Sequence, residues 1–385
     1  MEVGKLAKTH SEIKRQKALD ALHQEVYDKH MAPYWAVDSS VDHDEDRQVM
    51  DKRKAIPFSW SYENDIKPLL YRSSELITME NSERRSLVLV NPGLAPSRAT
   101  VTTLYMAYRL NDPAEIMPPH RHSPNAIRLG LTGKQNFTGV EGENIVFGPG
   151  DLVLTPHDTW HNHGNEGDQP AINLSVLDLP LAEVLNSLHF EHDYIEETEG
   201  AIVAKKMQSE RFRSDYSSQV YGQGGFLPRF VSHLRGTGNA SPMYIYRWEQ
   251  MLELLERYSD WDGDPYEGIL VEYVDPTRGT SIYNTMTFFA QMLRPGEQTR
   301  PMKQNSSILF APLEGSGYSI IEGQRFNWAP FDTVAVPGGH WCQHFNASEV
   351  DRAILFVASD EPTLKKLAFY RKFGKTESGE VVRLD

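Results

Sequence analysis

The chain repeats itself. Asp151 to Pro156 (DLVLTP) returns as Asp332 to Pro337 (DTVAVP), Pro113-Ala114-Glu115 returns as Pro295-Gly296-Glu297, and Trp160 and His163 return as Trp341 and His344, at an offset of 181–182 residues. Self-similarity at this period restricts the chain to two like domains made by duplication. A length of 385 residues is enough for both to hold a sizeable core. Within the first copy, short strand-like runs are separated by turn sequences at Leu131-Thr132-Gly133-Lys134, Glu141-Gly142-Glu143-Asn144 and Gly148-Pro149-Gly150-Asp151. That spacing is the pattern of a small antiparallel barrel.

The same region concentrates histidine. His120-Arg121-His122 is followed about forty residues on by Trp160-His161-Asn162-His163. Two histidines one residue apart project from the same face of a strand, because strand side chains alternate with period two. A third from a neighbouring strand closes a three-nitrogen site for a divalent metal, with His120, His122 and His161 as the expected ligands. His163 then lies beside the metal, where it can exchange protons as a general acid or base, and Asn162 points away. Arg128, six residues after His122, faces the same interior. A guanidinium there is costly unless it meets an anion, and its fork geometry matches a carboxylate. Carried across the repeat, His120, His122 and His161 become Met302, Gln304 and Cys342. That is a poor set for a hard or borderline divalent ion, so the metal and the chemistry belong to the first copy.

The motifs that carry these residues resemble a known family. Pro118-Pro119-His120-Arg121-His122 followed by Gly133 is similar to the first motif of the cupin barrel. Gly150 to Pro156 (GDLVLTP), with His161 and Asn165, is similar to the second. Within that superfamily the chain resembles gentisate 1,2-dioxygenase and its relatives acting on salicylate and 1-hydroxy-2-naphthoate. Glu83 to Leu94, Thr103-Leu104-Tyr105 and Leu177 to Leu181 carry the same likeness, which spans residues 55–360. It implies an all-β-dominated fold: two cupin (double-stranded β-helix, jelly-roll) barrels with a helical N-terminal arm and connecting helices. The expected organisation is an arm over 1–84, a metal-binding cupin domain over 85–200, a linker with a helix over 201–265, and a metal-free cupin domain over 266–385. Helices are expected over 11–30, 181–189 and 248–258.

The resemblance also implies the reaction: Fe(II)-dependent cleavage of an ortho-hydroxy aromatic carboxylate. Both atoms of O2 enter between the ring carbons bearing the carboxylate and the hydroxyl. The fourth cupin ligand, a glutamate, is absent; its positions hold Ala126 and Ile127. This leaves three adjacent coordination positions for a bidentate substrate and O2. In the family the position of Arg128 holds the substrate carboxylate, with Arg84 or Arg85 expected to assist. Tyr105, Ala107 and Arg109, two residues apart, are expected to share a strand face towards the pocket. Gentisate enzymes carry glycine and glutamine at the last two of these positions, and an aspartate where this chain has Ser175. Loss of that acid points to 1-hydroxy-2-naphthoate or a salicylate, with gentisate as the alternative. More remote alternatives are a metal-dependent cupin decarboxylase or isomerase and a metal-free bicupin binding protein.

Bulk properties narrow the partners. Asp and Glu number 53 against 39 Lys and Arg, a balance that disfavours nucleic acid and anionic membranes. No run of about 18 apolar residues marks a membrane span. The N-terminus lacks the apolar core of a secretory signal, and the lone Cys342 forms no intrachain disulfide, which suits a reducing cytoplasm. Family resemblance implies a homotetramer.

Overall fold

The computed structural model describes residues 10–31, 54–77, 85–198, 200–205 and 208–385. It divides into two compact units, Met1–Arg53 and Lys54–Asp385. In the first, the described element is a single helix, His10–Asp28. It is supported by i,i+4 contacts such as Gln16 to Asp20 and Gln24 to Asp28. Pro33, a residue type that ends helices, lies outside the described residues. Among the described residues no helix is long and apolar enough to cross a membrane.

The second unit contains both copies of the repeat, each folded as two antiparallel sheets. The first copy has eight strands: β1 (Tyr105–Asn111), β2 (Ile116–His122), β3 (Ala126–Gly130), β4 (Asn136–Val140), β5 (Glu143–Phe147), β6 (Leu152–Thr155), β7 (His161–Asn165) and β8 (Ala171–Leu177). Strands β6, β3, β8 and β1 form one sheet in that order, and β2, β7, β4 and β5 form the other. The turn after β3 needs Gly133, whose φ is 76° and where a Cβ would lie 2.5 Å from that of Ala171. The second copy repeats the arrangement with Thr287–Leu293, Ala353–Ser359, Ile308–Glu314 and Thr333–Val336 in one sheet. Met302–Gln304, Cys342–Asn346, Gly317–Ile321 and Gln324–Trp328 stand in the other.

Strand alternation explains how the barrels join. Met106, Tyr108 and Leu110 of β1, Ile127 and Leu129 of β3, and Ile172, Leu174 and Val176 of β8 share one apolar cluster with Phe288, Ala290, Met292, Leu309, Ala311, Phe356 and Ala358 of the second barrel. The residues between them in sequence face the interior of the first barrel. Both faces of this sheet are therefore buried, which is why its strands read as near-continuous apolar runs. The interior of the second barrel is itself apolar, built around Phe310, Ile321, Trp328, Val334 and Leu355.

Edge strands are exchanged. Phe58–Trp60, which the sequence assigns to the arm, pairs with Thr333–Val336 of the second barrel. Ile245–Tyr246, from the connection between barrels, pairs with β6 of the first. That connection is not free chain either. Ser217 and Arg235 both bond the fully buried Glu143 on β5, and Arg235 stacks on Phe212, Tyr216 and Tyr244. Helix Trp248–Arg257 stands where one over 248–258 is expected, whereas the one expected over 181–189 begins earlier and ends sooner, at Leu179–Val184.

Two aspartates tie the barrels reciprocally. Asp178, after β8, accepts the Asn125 N–H of its own barrel at 2.8 Å and the Thr285 hydroxyl of the other. Asp360, its repeat counterpart, accepts the Ser307 N–H of its own barrel at 2.7 Å and the Thr103 hydroxyl of the other. The Tyr283 hydroxyl adds a bond to the Ala126 carbonyl at 2.7 Å.

Candidate metal centre

The four histidines lie on two paired strands. His120 and His122 alternate on β2, His161 and His163 on β7, with His120 opposite His161 and Met117 opposite His163. The register shifts between Met117 and His120, across Pro118-Pro119. Proline donates no hydrogen bond to a ladder, and the resulting bulge re-aims the following side chains. His120 and His161 rings then stand 4.4 Å apart, His122 and His161 4.8 Å, and His120 and His122 5.9 Å.

Each expected ligand is oriented by a nearby carbonyl. Nδ1 of His120 lies 3.2 Å from Pro118 O, Nδ1 of His122 2.8 Å from Pro124 O, and Nδ1 of His161 2.8 Å from Thr159 O. A carbonyl can only accept, so each Nδ1 carries the proton and each Nε2 keeps its lone pair. His163 is held differently, by Thr138 Oγ1 at 3.0 Å from its Nδ1. The buried Nε2 atoms of His161 and His163 have no hydrogen-bond partner, as expected of atoms shaped to meet a cation. Possible ligand atoms of His120, His161 and His163 nevertheless all lie within 4.8 Å of one another. The expected triad contains His122 in place of His163. Asn162, between the two β7 histidines, faces out and accepts from Gln208 Nε2 at 3.0 Å.

Burial pushes the His161 imidazole well below its ordinary pKa, with the neighbouring His120, His122 and Arg128 adding to the effect. His163 is lowered likewise, by burial first and then by Arg128 and its histidine neighbours. Neutral imidazoles in a donor set of this kind fit a divalent metal.

Beside the histidines is a chamber of about 90 Å³ whose wall includes Tyr105, Ala107, Arg109, Arg128 and Ser175. Register explains the grouping: Ser175 on β8 is opposite Ala107 on one side and Arg128 on the other, so the three form a row across the sheet. Arg109 is one step further along β1. Its Nε bonds Asn111 Oδ1 at 2.6 Å, and its Nη1 lies 3.7 Å from Met117 Sδ.

Of the two arginines expected to assist, Arg84 lies outside the described residues, and Arg85 is placed elsewhere. Ser86, its neighbour, lines the chamber, so alternation turns Arg85 to the opposite face. There it is buried, paired with Glu115 and with Asp112 at 3.1 Å. It also donates to the carbonyls of Ser74 and Ile77. Its guanidinium is engaged by protein carboxylates rather than by the chamber.

Sequence reasoning missed the outer wall. After helix Leu179–Val184 the chain returns, and Phe190–Glu191 pairs with His122 and Arg121. Phe190 enters the chamber wall and packs edge-on against His122, ring centroids 5.5 Å apart. The exposed His192 stacks on His120 at 6.1 Å. Two histidines and an aromatic within His189-Phe190-Glu191-His192 were the available signal.

A two-barrel fold with histidines gathered at a chamber of the first barrel defines a cupin protein with a candidate metal site, and comparison with known proteins agrees. Residues 110–177 match the cupin domain family. The 5-aminosalicylate 1,2-dioxygenase of Comamonas sp. is 32% identical over 365 residues, covering 93% of this chain and 90% of that protein. A gentisate 1,2-dioxygenase of Aquipseudomonas alcaligenes is 31% identical over 350 residues, covering 89% and 92%. The crystal structure of salicylate 1,2-dioxygenase from Pseudaminobacter salicylatoxidans superposes with a TM-score of 0.77 at 28% identity, covering 92% of this chain and 97% of that one. The chain belongs to this family of ring-cleaving dioxygenases.

Proposed function

We propose that the chain opens the ring of a salicylate-type, one-ring ortho-hydroxybenzoate, with Fe(II) held by His120, His122 and His161. The observation that carries the ligand assignment is the shared carbonyl lock on the three Nδ1 atoms, which His163 lacks. When bound, the iron supplies the site at which the substrate oxygens and O2 meet.

The protein groups do the rest. Arg128 in the chamber wall takes the carboxylate through its two-pronged donor face. Ala107 and Ser175 leave room for the ring. His163, neutral and backed by the Thr138 hydroxyl, is placed to move a proton at the substrate hydroxyl. Phe190 limits water entry from the outer side. The chamber is small, about 90 Å³, so a fused second ring demands more opening than a single one. Ser175, uncharged, gives no acid partner to a second hydroxyl. Both features favour a salicylate over 1-hydroxy-2-naphthoate and gentisate, and the Comamonas relative named for 5-aminosalicylate supports the same class.

Oxygen uptake by anaerobically Fe(II)-loaded protein tests the reading, with salicylate, 5-aminosalicylate, gentisate and 1-hydroxy-2-naphthoate in parallel. Fastest uptake with a salicylate, lost in His120→Ala, is expected; a tenfold higher kcat/KM for gentisate or the naphthoate overturns the substrate choice. Iron content separates the ligand sets: His122→Ala should lose iron and His163→Ala should keep it, and the reverse pattern moves the third ligand to His163. The family resemblance further supports a cytoplasmic homotetramer, for which light scattering should give four times the 43.8 kDa chain mass.

A further inference from the structure

The repeat relation places a different donor set in the second barrel. His120, His161 and His163, whose ligand atoms lie within 4.8 Å of one another in the first barrel, fall at Met302, Cys342 and His344. The backbone that brings the three histidines together is reproduced there. Met302 stands directly opposite Cys342 across the strand pair, as His120 stands opposite His161. His344 Nδ1 is 2.8 Å from Ser319 Oγ, as His163 is held by Thr138, and this turns His344 Nε2 to within 3.8 Å of Cys342 Sγ. All three side chains are buried. Met302 and His344, though not Cys342, share the wall of a cavity of about 30 Å³ with Glu267, Gln291, Gln304 and Glu361, the scale of one water or one bare ion.

We propose that this cluster is a site for one soft monovalent cation, copper(I), held by Met302 Sδ, Cys342 Sγ and His344 Nε2. Thioether and thiolate sulfur select copper(I) over harder ions. The charge balance points the same way. Binding displaces the thiol proton to solvent and forms a Cu–S bond with no change of oxidation state. Cation and thiolate cancel, and the methionine and histidine are neutral. A divalent ion would leave a net charge among Phe289, Phe310 and Trp328, where an unpaired charge is costly. The nearby carboxylates do not change this count, because Glu267 is paired with Lys372 and Glu361 with Lys365. A three-coordinate ion also needs no water ligands, for which so small a cavity has no space.

The test is anaerobic titration of the Fe(II)-loaded protein with copper(I) against the chromophoric chelator bicinchoninate, with iron and copper counted by mass spectrometry. One equivalent of copper should be withdrawn from the dye while iron is retained, and X-ray absorption at the copper edge should show sulfur neighbours. Cys342→Ser should abolish the uptake. Met302→Leu, which keeps the side-chain bulk, should weaken it at least about tenfold, and decides the matter if the serine variant does not fold. His120→Ala should leave it intact. No withdrawal of copper, uptake unchanged in Met302→Leu, uptake lost in His120→Ala, or copper entering only as iron leaves would each overturn the proposal.

Discussion

Replacing Arg85 by methionine separates a folding role from a substrate-binding one. The Arg85 side chain is 3% exposed, that of its partner Glu115 15% and that of Asp112 32%. Methionine fills much of the same space but leaves the Glu115 and Asp112 carboxylates and the carbonyls of Ser74 and Ile77 without this donor. Breaking a buried ion pair from one side costs about 3–5 kcal/mol. Asp112 can turn to water, so most of that cost falls on Glu115. The loss should be read by urea denaturation as a lower midpoint at unchanged m-value, and as a drop of about 5 °C or more in Tm. Lysine at the same position should recover part of it, since it keeps the charge but not the fork. In iron-loaded protein that remains folded, KM should stay within about threefold of wild type, because Ser86 rather than Arg85 faces the chamber. An Arg85→Met protein with wild-type stability and a KM raised tenfold would refute this reasoning and return Arg85 to the substrate.

Three other perturbations have defined outcomes. Ala107→Phe carries into the first chamber the residue found at the repeat position, Phe289, in a cavity of only about 30 Å³; kcat/KM should fall about 100-fold or more with iron content unchanged, and retained turnover would show that the ring does not occupy that space. Asp178→Ala strips the acceptor from Asn125 and Thr285 and should cost about 3 kcal/mol in denaturant unfolding, whereas an unchanged midpoint would mean the inter-barrel bonds contribute nothing. His344 stays neutral in the fold down to about pH 4, while an unfolded histidine protonates near pH 6.5. Its contribution is therefore complete above about pH 6.5 and lost as pH falls towards 4, amounting to about 3 kcal/mol. His344→Gln should flatten that part of the stability–pH curve, and an equal slope in both proteins would count against it.

The architecture was legible because its signals are periodic. The repeat offset, the alternation of His120 with His122, and the row of Tyr105, Ala107 and Arg109 all follow from fixed strand geometry, and those last three side chains do line the chamber. What escaped the sequence has no period. Phe58–Trp60, Ile245–Tyr246 and Phe190–Glu191 are strands of two or three residues, too short for alternation, and their pairing is decided by what lies next to them in the fold. Arg85 was misassigned for a related reason. Neighbouring residues of an extended chain face opposite ways, and nothing local tells that Ser86 rather than Arg85 meets the chamber. Asp178 stands before a Pro-containing helix, a position that suggests a cap, yet its side chain makes no capping bond and reaches across to the other barrel.

The reciprocal aspartates and the Tyr283 bond have a consequence for how such a chain can change over time. Thr285 and Tyr283 of the second barrel grip Asp178 and the Ala126 carbonyl, and Ala126 is part of the wall of the working chamber. The second barrel is thus the outer frame of the first. Its interior is separate from that chamber, whereas its flank is not. A substitution at Phe289 acts within the second barrel alone, but a change at Thr285 or Tyr283 tilts the floor on which another domain's substrate rests. Selection for a new aromatic acid can therefore act through residues that never approach the ring.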